Sequence, residues 1–162
     1  PQVGLLSSGG RNTSILRRSK LRYSIKTNRS CQEAAVSNRA VITTPSAPQA
    51  IGPYSQGIKV GNTVWISGQI PLDPKTMLLI SGDITAESEQ VFANLAAVAA
   101  AAGGTLDDAV RINISLTDLA DFDAVNAVMA QQFAEPYPAR ACVQVAALPK
   151  GARIEVEAIL TL

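Results

Sequence analysis

Polar and apolar residues alternate strictly in two stretches near the C-terminal end of the chain. In Pro138 to Val145, Arg140, Cys142 and Gln144 fall on one side and Ala141, Val143 and Val145 on the other; in Arg153 to Ala158, Arg153, Glu155 and Glu157 oppose Ile154, Val156 and Ala158. A period of two marks a strand with two unlike faces. Leu148-Pro149-Lys150-Gly151 and a few flanking residues separate the stretches, which predicts a hairpin with both polar faces side by side on one sheet. Such a surface carries a guanidinium, a thiol and carboxylates, and is able to hold a small carboxylate ligand. The alternative is the wet side of an ordinary two-faced antiparallel sheet.

Upstream, Ala40 to Thr44 forms a strand candidate closed by Pro45, Pro48 and the turn Ile51-Gly52-Pro53-Tyr54. Gln56 to Val60 and Thr63 to Ser67 flank Gly61-Asn62, a two-residue turn, and predict a hairpin. From Asp83 to Ala102, Ile84, Val91, Leu95, Val98 and Ala102 recur at helical spacing, with acids near the start and Gly103-Gly104 at the end. Its apolar run, Val91 to Ala102, is too short for a bilayer, which needs roughly 20 residues. Ala109 to Leu116 predicts a strand with Val110, Ile112, Ile114 and Leu116 inward. Phe122, Val125, Met129 and Phe133 predict a second helix, N-capped by Asp121, whose stripe is ordinary core. The order βββαβαββ implies an α+β layer structure, one mixed sheet with two helices on one face. The other face, carrying Trp65 or its neighbours and polar residues, needs a partner, and a homo-oligomer supplies one.

Charge divides the chain in two. Eight of the 14 basic residues precede Val41, against one acid, Glu33; from Val41 onward six basic residues stand against twelve acidic ones, a balance of −6. An acidic domain argues against nucleic acid as partner, because phosphate binding needs clustered Lys and Arg. Residues 1–39, rich in Ser and Arg with no apolar periodicity, predict a disordered organelle transit peptide, plastid ahead of mitochondrion, with the domain at 40–162; a basic tail that stays attached is the alternative. The chain has no histidine, which removes the Ser-His-Asp triad, the Cys-His pair and the HExxH zinc helix, so no metal centre is expected. Cys31 lies in the head and Cys142 in the domain, which suits a reducing compartment.

Five segments, Ile51-Gly52-Pro53-Tyr54-Ser55-Gln56-Gly57, Ile66-Ser67-Gly68-Gln69-Ile70-Pro71, Asp121-Phe122-Asp123-Ala124-Val125-Asn126, Pro138-Ala139-Arg140-Ala141-Cys142 and Ile154-Glu155-Val156-Glu157-Ala158, together resemble the Rid (reactive intermediate deaminase) family, RidA branch, over about Val41 to Leu162. The resemblance implies a chorismate-mutase-like fold, a homotrimer with sites in clefts between subunits, and hydrolysis of 2-imino acids such as 2-iminobutanoate and 2-iminopropanoate to 2-oxo acids and ammonia. Pyridoxal enzymes release those imines; no cofactor, nucleic acid or membrane is implied for this chain.

By position, the resemblance makes Arg140 the clamp for the substrate carboxylate, a task for a planar two-point fork. Glu155 becomes the group that activates water or shuttles protons, helped if burial raises its pKa. Cys142 is a pocket residue used through its backbone and not a nucleophile, while Tyr54, Ser67, Gly68 and Asn126 line or shape the cleft. The sequence departs from many relatives at Thr76-Met77-Leu78-Leu79, where they have a Thr-Gly turn, and at Gln144, where some have Glu; loop shape and substrate range are affected, the reaction class is not. The rival function is non-enzymatic or RNA-acting: chaperone-like holding, ribonuclease activity or translation inhibition.

Overall fold

The computed structural model describes residues 38–80 and 82–162. The expected transit peptide lies outside the described residues. Six strands, β1 (Arg39–Ile42), β2 (Gly57–Val60), β3 (Thr63–Gln69), β4 (Ala109–Leu116), β5 (Ala139–Gln144) and β6 (Ile154–Thr161), join two helices, α1 (Ile84–Ala101) and α2 (Phe122–Gln132), in the predicted order βββαβαββ. They form one mixed sheet in the order β1-β2-β3-β6-β4-β5, in which only β4 and β5 run parallel.

Local chemistry explains most of these elements. Gly61 turns at φ 57°, the left-handed conformation that a two-residue hairpin turn requires, so β2 and β3 pair directly. Asp83 Oδ1 accepts the Ala86 N–H at 2.9 Å and caps α1. The predicted stripe Ile84, Val91, Leu95, Val98 and Ala102 is buried against the sheet, together with Phe92, which meets Phe133 edge-on at 5.8 Å between ring centres. Facing them are Val64, Ile66, Ile112, Ile114, Leu116, Ile154, Val156, Ala158 and Leu160. Across the other face run Val41, Ile58, Trp65 and Ile159, paired strand to strand; Val41 and Trp65 are exposed by 63% and 44%.

Three expectations need correction. First, β5 and β6 are not a hairpin: β4 lies between them, antiparallel to β6 and parallel to β5. Residues 145–153 therefore cross over one intervening strand, a step of about 10 Å, and are tied down by Val145 N–H to Leu116 O and Thr117 N–H to Arg153 O at 2.8 and 2.9 Å. Second, Val110 is exposed by 49%, because the β4–β6 register shifts between Ala109 and Arg111 and turns it off the core face. Third, Asp121 occupies the N-cap position of α2 in helical conformation and makes no side-chain cap; Asp118 Oδ1 accepts the Ala120 N–H at 2.9 Å and caps the 3-10 turn Leu119–Asp121 that runs into α2.

Met77 adopts φ 59° in the loop after β3. Asp73 holds that turn, its Oδ1 accepting the Lys75 and Thr76 N–H groups at 2.7 and 2.8 Å. A side chain at positive φ is strained, so Met77→Gly is expected to stabilise the fold by roughly 0.5–1 kcal/mol after the entropy that glycine adds to the unfolded chain. Urea unfolding checks this; a loss of stability would mean that Met77 contributes packing greater than its strain.

Candidate active site between two sheet faces

Register decides where the predicted site residues point. Arg140, Cys142 and Gln144 pair with Ile112, Ile114 and Leu116, so they lie on the face that the helices cover. Glu155 and Glu157 pair with Ser115 and Asn113, which places them on the open face. The two polar stretches are thus on opposite sides of the sheet. Burial permits this because β5 is an edge strand: Arg140 reaches past the margin of the core to α2, where a charged head stays partly in water.

On the open face, Glu155 sits in a cavity of about 500 Å³ with Tyr54, Ser67, Gly68, Ile70 and Lys150 among its walls. A bulge builds this corner. Ile66 pairs with Ala158 but Gln69 with Val156, so β3 has one residue too many opposite β6, and Ser67-Gly68 absorb it. Ser67 is pinned by its N–H to Gln56 O at 3.0 Å and its hydroxyl to Ser55 O at 2.7 Å. Gly68 lacks a side chain for a direct reason: a Cβ there would overlap the Glu155 carboxylate. The segment that follows is held by Asn94, buried in α1, whose Nδ2 donates to Ile70 O and Leu72 O at 3.3 and 3.0 Å. Burial raises the pKa of Glu155, and the neighbouring Glu157 charge raises it further. Glu157 itself accepts a hydrogen bond from Asn113 Nδ2 at 2.8 Å.

On the helix face, Arg140 lines a second cavity of about 430 Å³ with Asn126, Met129, Ala130, Tyr137 and Pro138. Its Nη1 donates to Asn126 Oδ1 at 2.7 Å and approaches Met129 Sδ at 3.5 Å. Among the described residues Nε and Nη2 make no hydrogen bond, which leaves one edge of the fork for a carboxylate. Cys142, next on the same face, is half-buried and unpaired; burial pushes its thiol pKa up, against a weaker opposite pull from Arg140, so the thiolate needed for nucleophilic attack is disfavoured.

The seven residues singled out in the sequence therefore fall into two groups. Tyr54, Ser67, Gly68 and Glu155 share one cavity, while Asn126 and Arg140 share the other, with Cys142 beside them. Sequence reasoning missed Lys150 and Asn94. Lys150 stands at φ 58° on the wall of the Glu155 cavity, and only its place between Pro149 and Gly151 hinted at a special turn. Asn94 was an interruption in an apolar run, the kind of signal that a buried polar contact leaves. Among the described residues, no group of three or more His, Cys, Asp or Glu is placed to hold a metal ion, and no helix is long and apolar enough to cross a membrane.

Comparison with known proteins agrees in sequence and in fold. Residues 44–162 match the family model described as endoribonuclease L-PSP. The 2-iminobutanoate/2-iminopropanoate deaminase of Dermatophagoides farinae is 46% identical over 127 residues, covering 78% of this chain and 99% of the relative. The human protein of the same name is 47% identical over 121 residues, 75% of this chain and 88% of the relative. The crystal structure of RidA from an Antarctic Psychrobacter superposes with a TM-score of 0.74 at 56% identity, covering 76% of this chain and 99% of that one. With five motifs in order, the mixed sheet under two helices and relatives that align over nearly their whole length, the chain belongs to the endoribonuclease L-PSP family, in its RidA branch.

Proposed function

We propose that this protein is a hydrolytic deaminase of small 2-imino acids, 2-iminobutanoate and 2-iminopropanoate among them, that removes reactive by-products of pyridoxal-phosphate enzymes. The observation that carries this reading is the pair of half-sites: a carboxylate with a raised pKa in one cavity, and a guanidinium with a free edge in another, on opposite faces of the sheet. Neither alone is a catalytic site for an imino acid. Two copies of the chain, one contributing Arg140, Cys142 and Asn126 and the next contributing Glu155, Tyr54, Ser67 and Gly68, complete it, and the uncovered face with Trp65 supplies the apolar area for assembly. The assembly we propose is a homotrimer, which the resemblance to the RidA branch supports. Light scattering is expected to return three times the subunit mass; a stable monomer at micromolar concentration would remove the interface on which the site depends.

In the proposed reaction, Arg140 holds C1 of the substrate by its carboxylate and aims C2 at a water beside Glu155. Glu155 takes a proton from that water as its oxygen bonds to C2, and the C=N electron pair moves to nitrogen. Glu155 then returns that proton to nitrogen, giving the carbinolamine; the hydroxyl proton passes through Glu155 to the same nitrogen as the C2–N bond breaks, so that nitrogen leaves as ammonia while the oxygen forms the carbonyl. The products are the 2-oxo acid and ammonia. A carboxylate whose pKa is raised suits both halves, because it is a stronger base than an ordinary carboxylate when ionised and carries the proton back to nitrogen.

Rate should follow the ionised fraction of Glu155, so the acid limb of kcat/KM is expected above the ordinary carboxylate range. Glu157→Gln keeps the hydrogen bond to Asn113 and removes the negative charge that contributes to the shift, so the limb should move to lower pH. A pH–rate profile decides; an unmoved limb would disconnect Glu155 from the rate. The activity itself is tested by generating 2-iminobutanoate in situ and following 2-oxobutanoate or ammonia against a control without protein. An unchanged rate of decay would overturn the proposal. The RNA-acting alternative rests on the name of the family model, and the −6 balance of the domain weighs against RNA.

A further inference from the structure

Three residues of α2, Phe122, Asn126 and Met129, stand at i, i+4 and i+7 and so share one stripe of the helix. All three meet the same guanidinium. Arg140 Nη1 donates to Asn126 Oδ1 at 2.7 Å and to Met129 Sδ at 3.5 Å, and Cζ lies over the Phe122 ring, 5.2 Å from its centre. Contacts made through one nitrogen fix a point and leave the planar group free to turn about it. An aromatic face is a plane, and its quadrupole attracts the cation broadside, so the ring restricts that rotation. Phe122 is only half-buried and also packs against the core, so its position is set by the fold and not by the arginine.

Resting on the proposed function, we infer that Phe122 is a positioning residue for the carboxylate clamp: its ring orients the Arg140 guanidinium so that the free Nε/Nη2 edge faces the substrate carboxylate. The stripe that reads as plain core in the sequence thus has a second task. Asn126 acts in the same way, through Arg140, and sets the point about which the fork is held.

The test titrates 2-oxobutanoate and its uncharged analogue 2-oxobutanamide calorimetrically into the full assembly. Phe122→Leu keeps apolar contact with the core and removes the ring. Affinity for 2-oxobutanoate is expected to fall about tenfold, the scale of a partly desolvated cation–ring contact, while affinity for the amide changes less than twofold. Phe122→Tyr keeps the ring face and should recover most of the loss. Equal weakening of acid and amide would make Phe122 merely structural, and no weakening of either would make the contact irrelevant; both results overturn the inference provided that Arg140→Ala abolishes the preference for the acid. If Arg140→Ala leaves that preference intact, the clamp itself is misassigned, and the functional reading falls together with the inference.

Discussion

Glu155→Gln is expected to leave a folded assembly that binds 2-oxobutanoate yet hydrolyses the imine about 10²- to 10⁴-fold more slowly, the usual worth of a positioned proton-transfer group. The amide is nearly isosteric, so the cavity beside Gly68 keeps its shape, and the loss should appear in kcat. Stability should move the opposite way. A carboxyl whose folded pKa is raised favours the folded state below its ordinary pKa and loses that contribution as pH rises through the folded value. Once ionised, Glu155 is therefore a burden on the fold, and Glu155→Gln should raise Tm at the higher pH, with the gain shrinking in acid. Single-turnover kinetics with thermal melts at two pH values check both halves. Wild-type turnover in the variant would remove Glu155 from the chemistry.

Arg140 is expected to fail differently. Arg140→Ala should abolish measurable binding of 2-oxobutanoate, because it removes the only cation that the described residues place in that cavity's lining and leaves Asn126 Oδ1 and the Phe122 ring without their partner. Arg140→Lys keeps the charge but has no flat two-point fork, so the carboxylate should bind misoriented and turnover fall by about two orders of magnitude or more. Steady-state kinetics on the imine, with calorimetry on the 2-oxo acid, separate the two variants. If Arg140→Lys were as active as wild type, a point charge would suffice, and the planar cradle on α2 would have no function.

The contrast between these residues shows how far the linear pattern reaches. Alternation in Arg140 to Gln144 and in Ile154 to Ala158 was legible because the strand period is a local property, set by each residue's own backbone. The α1 stripe was legible for the same reason, and Ile84, Val91, Leu95, Val98 and Ala102 are all buried. The family resemblance pointed to Arg140 and Glu155 as a candidate pair without showing how two positions on different strands are arranged.

That arrangement depends on which strands are neighbours and on the parity of their register, neither of which is local. A short link between β5 and β6 looks like a hairpin until β4, returning from elsewhere in the chain, takes the place between them. Pairing with β4 then sends Arg140 to the side of Ile112 and Glu155 to the side of Ser115, because a one-residue change in register reverses every side chain. The same holds for Phe122. Helical spacing predicted correctly that it faces inward from α2, but only the edge position of β5 put a guanidinium, and not an aliphatic side chain, over its ring. Sequence by itself determined the elements, their faces and the residue types at the site; tertiary structure decided which faces meet, since strand neighbours are chosen by the whole core and not by any stretch of chain.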